Sequence, residues 1–137
     1  MGPGWSRVFP GVPASVTEAR RFAMALLNGW PEPLREQAEL LVSETCTNAL
    51  VHSRSGEPGG KFTVHVCTRS GGWLWIEVED EGGPGDVRVR AGDGESGNGL
   101  VLVDAIASDW GTYGDGAGRS VWFRLDVPEF AGRGCNG

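Results

Sequence analysis

Glu44 and Asn48 stand four residues apart in the stretch SETCTNALVHS, residues 43–53, which holds no glycine or proline and is surrounded by apolar residues. On a helix that spacing puts a carboxylate and a carboxamide one turn apart on the same side. At about 100° per residue, Leu34, Ala38, Leu41, Thr45, Ala49 and His52 fall on one stripe. By the same count Asn48 lies only about 20° from Leu41, inside that stripe, and Glu44 sits at its shoulder, about 60° round. A carboxamide facing inward needs a partner or a ligand, because leaving it unsatisfied costs about 1–3 kcal/mol. His52 on the same face reads as a hydrogen-bonded core residue. With no second His or Cys at ligand spacing, a zinc site is unsupported.

Two glycine-rich stretches could hold the rest of a ligand. Asp80-Glu81-Gly82-Gly83-Pro84-Gly85 follows an apolar run directly. An acid at a strand end can accept hydrogen bonds from a ligand amine, while the glycines let the backbone pass close to a ring. Gly97-Asn98-Gly99-Leu100 opens a helical run. There, free N–H groups and the positive end of the helix dipole favour an anion. Gly92-Asp93-Gly94-Glu95-Ser96-Gly97 matches the dinucleotide fingerprint letter for letter. Its two acids would repel a pyrophosphate, and no parallel strand leads into it. Neither a P-loop nor a nucleophile elbow is present.

The elements that must position these residues follow from periodicity and punctuation. Residues 5–9 form a short strand that stops at Pro10-Gly11-Val12-Pro13. Ser15 or Thr17 caps a first helix running to about Asn28-Gly29, and Pro31 and Pro33 open a longer one to about Ser53. KFTVHVCT and WLWIEVED alternate as strands, joined as a hairpin through Gly71 and Gly72. Trp73 and Trp75 share one face of the second strand, which is assigned to the core. GLVLVDAIASD is a third helix and WGTYGDGAGRSVWFRLDV a second hairpin; residues 129–137 read as a disordered tail after a single domain over 1–128. The order predicts a two-layer α/β sandwich, helices on one face of a mixed, mostly antiparallel sheet.

Composition narrows the partners. The net charge is −6, Lys61 is the only lysine, and the basic residues are scattered. No stripe exists to displace counterions from nucleic acid. Cys46, Cys67 and Cys135 form no C-x-x-C pair and read as reduced thiols, as in a cytoplasm. No apolar run has the length of a membrane span and no leader pattern is visible, so a soluble cytoplasmic protein is expected.

Singly these signals are weak, but their order is informative. Glu44-x-x-x-Asn48 on a helix, Asp80-x-Gly82 after a strand, Gly97-x-Gly99 opening a helix and Gly118-Arg119-Ser120 entering the last strand resemble the GHKL (Bergerat-fold) ATP-binding family. The likeness runs from about residue 5 to 127 and is nearest to its anti-sigma factor/serine-protein kinase branch. That resemblance implies ATP and Mg²⁺ as cofactors. Asn48 would coordinate Mg²⁺ on the phosphates and Glu44 would act as general base. Asp80 would accept from the adenine amino group, with Gly82 against the ring. Gly97, Gly99 and Leu100 would offer backbone N–H groups to phosphate. Ser120 would replace a threonine that supports Asp80, and Arg88 and Arg90 are candidate phosphate contacts. The implied partners are a sigma factor and a small antagonist protein phosphorylated on serine, with a homodimer left open. The alternatives are a non-catalytic nucleotide-dependent binding module and a stand-alone histidine-kinase-like ATPase. Pro84 departs from the usual D-x-G-x-G pattern, and the short lid carries Asp93 and Glu95.

Overall fold

The computed structural model describes residues 4–69, 72–83 and 98–127. β1 (Gly4–Pro10) is followed by α1 (Ala14–Leu26), α2 (Glu32–His52) and a 3₁₀ turn at Arg54–Gly56. Next come β2 (Lys61–Arg69), β3 (Trp73–Asp80), α3 (Asn98–Ile106), β4 (Asp109–Asp115) and β5 (Gly118–Asp126). The five strands make one sheet in the order β1-β2-β3-β5-β4. Every pairing in it is antiparallel, where the sequence pointed to a mixed, mostly antiparallel sheet. The two-layer sandwich is as expected, with α1 and α2 packed together on one face and α3 packed on α2. β5 inserts between β3 and β4, so the chain entering β5 lies beside the end of β3, with Asp80 opposite Arg119.

Alternation builds the core. Val64 and Val66 of β2, Leu74, Ile76 and Val78 of β3, and Phe123 and Leu125 of β5 point at the helices and are buried. Ala19, Ala23 and Ala38 keep the helices close, and Phe9 stacks on Phe62 at 5.5 Å between centroids. Cys46 is fully enclosed, and burial pushes its thiol up to about 12.

Three expectations change here. α1 begins at Ala14 with Pro13 at its cap position, and no side chain caps it; Ser15 is instead buried inside the first turn. Trp73 and Trp75 lie on the sheet face away from the helices, since Leu74, Ile76 and Val78 take the inward positions of the same strand. Trp75 stacks there flat on Trp122 of β5, centroids 4.4 Å apart and planes 5° from parallel. The inward stripe of α2 is also broader than predicted, comprising Leu34, Ala38, Leu41, Val42, Thr45, Cys46 and Ala49. Val42 and Cys46 draw its centre away from Asn48. Asn48 is therefore half-buried at the edge of the stripe rather than inside it, and His52 is exposed rather than in the core. No helix among the described residues is long and apolar enough to cross a membrane.

Candidate functional site

α2 supplies the polar pair. Glu44 and Asn48 are both half-buried on the flank of the helix, one turn apart. Neither side chain has a hydrogen-bond partner among the described residues, so both are available to something in the adjacent space. Thr45, between them in sequence, turns the other way and gives its hydroxyl to the Leu41 carbonyl at 2.7 Å. The pair is thus on a helix whose opposite face is locked into the core.

The end of α2 is tied to the end of β3 by a connected set of hydrogen bonds. The Ser53 hydroxyl donates to the Ala49 carbonyl at 2.6 Å and accepts from the Ser55 N–H at 3.0 Å, which closes the helix and starts the 3₁₀ turn. The Arg54 N–H donates to the Gly82 carbonyl at 2.7 Å, and the Glu81 N–H donates to the Ser55 hydroxyl at 2.9 Å. The Arg54 guanidinium reaches across to the Gly116 carbonyl at 2.6 Å. The Glu81 carboxylate accepts from the backbone N–H and the ammonium of Lys61, and these contacts hold it below the usual glutamate range. Glycine at 82 is required by this packing. Its φ is +76°, and a Cβ there would stand 2.2 Å from the Gly116 carbonyl oxygen.

Asp80 sits at the head of this loop with only 6% of its surface exposed. The Gly82 N–H donates to its carboxylate at 2.6 Å. Burial pushes the Asp80 carboxyl above its usual range, opposed by the Gly82 N–H and by the positive charge of Arg119. A buried carboxylate at a strand end, beside a glycine turn, is a candidate binding position.

Register places Arg119, rather than Ser120, beside Asp80. Ser120 pairs in register with Glu79 and Tyr113, and its hydroxyl bonds the Tyr113 phenol, which also bonds the Glu77 carboxylate. Successive residues of a strand point to opposite faces, so the position beside Asp80 belongs to residue 119. The Arg119 guanidinium lies 3.9 Å from the Asp80 carboxylate through Nε and donates through Nη2 to the His52 carbonyl at 3.0 Å.

α3 opens at Asn98, so Gly99 and Leu100 lie in its first turn, and Leu100 is buried. Their backbone N–H groups belong to the turn whose donors have no intrahelical acceptor. Gly97, Pro84, Arg88 and Arg90 lie outside the described residues. The structure thus brings Asp80, Gly82 and Arg119 together and leaves Ser120 on the other face. Arg54, Ser55 and Arg119 were missed by the sequence reading. An arginine at an inward register position, alternating with Val121 and Phe123, was the available signal for the last of them.

The residues present fit a magnesium nucleotide. Asn48 offers an oxygen without a partner among the described residues, Asp80 a recessed acceptor, and α3 an N-terminal turn for phosphate. A family model described as "Histidine kinase-like ATPase domain" matches residues 9–125, and the chain belongs to that family, an ATP-binding fold of the GHKL type. A search of the curated proteins gave no match.

Proposed function

We propose that the chain works as an ATP-dependent anti-sigma factor with serine-protein kinase activity. In this reading it passes the γ-phosphate of ATP to a serine hydroxyl on a small antagonist protein and sequesters a sigma factor. The observation that carries it is Glu44. Its carboxylate is half-buried on the flank of α2, one turn from Asn48 and without a partner among the described residues, as a base for an incoming hydroxyl would have to be. Mg²⁺, held by Asn48 and the phosphates, would supply charge neutralisation. Phosphoryl transfer asks little else of a protein than positioning, a hard cation and a base.

Incubation with labelled ATP and candidate antagonist proteins tests the role of Glu44. Glu44→Ala is expected to lower serine labelling by about 10²–10⁴-fold while ADP affinity stays near wild type, since a general base contributes that much. Equal labelling by both proteins would remove Glu44 from the mechanism. Pro84 in the first glycine stretch favours a second reading, in which nucleotide only sets the shape of a protein-binding face. Single-turnover transfer to any serine would eliminate it.

A further inference from the structure

Arg119 is 7% exposed and joins three parts of the site. It lies beside the Asp80 carboxylate, donates to the carbonyl that ends α2, and its Nη2 stands 3.5 Å from where a side chain on Gly83 would begin. We infer that Arg119 is a positioning residue that keeps Asp80 a carboxylate aimed at an amino-bearing purine, and so sets the preference for adenine over a 6-oxo base. The inference rests on the reading of Asp80 as the base acceptor.

The chemistry is a choice of hydrogen-bond sense. An ionised Asp80 only accepts, which suits the exocyclic amine of adenine and repels the carbonyl oxygen of hypoxanthine. Once protonated it can donate, and the 6-oxo base becomes acceptable. The other charged groups near Asp80 do not take over the task of Arg119. Glu79, on the same strand, raises the Asp80 carboxyl rather than lowering it. Arg54, at the end of α2, sends its guanidinium to the Gly116 carbonyl. The His52 side chain is exposed, and Glu81, the residue after Asp80, is paired with Lys61 at 3.2 Å. Arg119 is the cation packed against the carboxylate among the described residues.

The test is the ratio of Mg-ADP to Mg-IDP affinity measured across pH for wild type, Arg119→Met and Arg119→Lys. In each protein the adenine preference falls as pH drops through the Asp80 titration. In Arg119→Met that fall is expected at a pH higher by about one unit or more, since a neighbouring arginine lowers an aspartate by that much. At a fixed acidic pH this is about a tenfold loss of preference. Arg119→Lys, which keeps the charge, is expected to follow wild type. Arg119→Thr is measured alongside, so that a folding failure of the methionine variant leaves the comparison standing. An unshifted fall, or a loss of both affinities that is uniform with pH, would show a merely structural arginine and overturn the inference. Failure of the wild-type protein to bind Mg-ADP at any pH would instead overturn the reading of Asp80, and this inference with it.

Discussion

Asp80→Asn is expected to weaken Mg-ATP and Mg-ADP binding by at least about tenfold to a hundredfold, while the protein stays folded. A hydrogen bond to a charged group is worth about 1.5–3 kcal/mol, and one such contact to the base amine is lost. The sign of the Asp80 shift predicts that the fold survives. Its carboxyl is raised in the folded chain, mainly by burial, so the ionised form costs stability above the ordinary aspartate range and favours the fold only when protonated. Removing the charge therefore relieves a cost at neutral pH, set against the lost neighbour of Arg119. The same sign governs binding by the wild type. Affinity for an adenine nucleotide is full where Asp80 is ionised, and it is lost on acidification at a higher pH than for an ordinary aspartate. Circular dichroism and calorimetry on the same sample separate the two effects. Unchanged affinity would remove Asp80 from base recognition.

Gly82→Ala is expected to do more damage, and to both properties. The residue has φ +76°, which costs a non-glycine residue about 1–3 kcal/mol. The added Cβ would stand 2.2 Å from the Gly116 carbonyl oxygen, so the two loops must part. Overpacking of that kind costs a further 1–3 kcal/mol or so. In a domain of this size the sum lowers the melting temperature by about 10 °C or more. Parting the loops also breaks the hydrogen bonds from Gly82 to Asp80 and from Arg54 to Gly82, so nucleotide affinity falls with stability. Gly59→Ala is the control. Gly59 has φ +82° but open space around its missing side chain, so it is expected to lose only the backbone strain of about 1–3 kcal/mol and keep its affinity. Equal melting losses for the two variants would mean that the Gly116 contact does not constrain residue 82.

Much of the architecture was legible because periodicity reports burial directly. KFTVHVCT and WLWIEVED alternate cleanly, and both are strands of one hairpin. What alternation does not report is which face the helices cover when both faces carry large apolar residues. In β3 the inward set is Leu74, Ile76 and Val78, and the tryptophans took the other side. The helical stripe erred for a related reason. Val42 and Cys46 lie off the stripe on an angular count, yet both are buried, and they rotate the inner face away from Asn48. The candidate site was proposed from an order of motifs along the chain: Glu44, Asn48, Asp80 and Gly82. Its cross-strand partner was not, because register decides it. A one-residue shift in a strand exchanges faces, and it is register that puts Arg119 rather than Ser120 beside Asp80.

The central claim is that Asp80, Asn48 and the first turn of α3 receive a magnesium adenine nucleotide. Calorimetric titration of the wild-type protein with Mg-ATP and Mg-ADP tests it most directly. Saturable one-site binding in the micromolar range, weakened when Mg²⁺ is chelated, is the predicted result. The absence of any binding heat with either nucleotide at millimolar concentration, from protein shown to be folded, would contradict it.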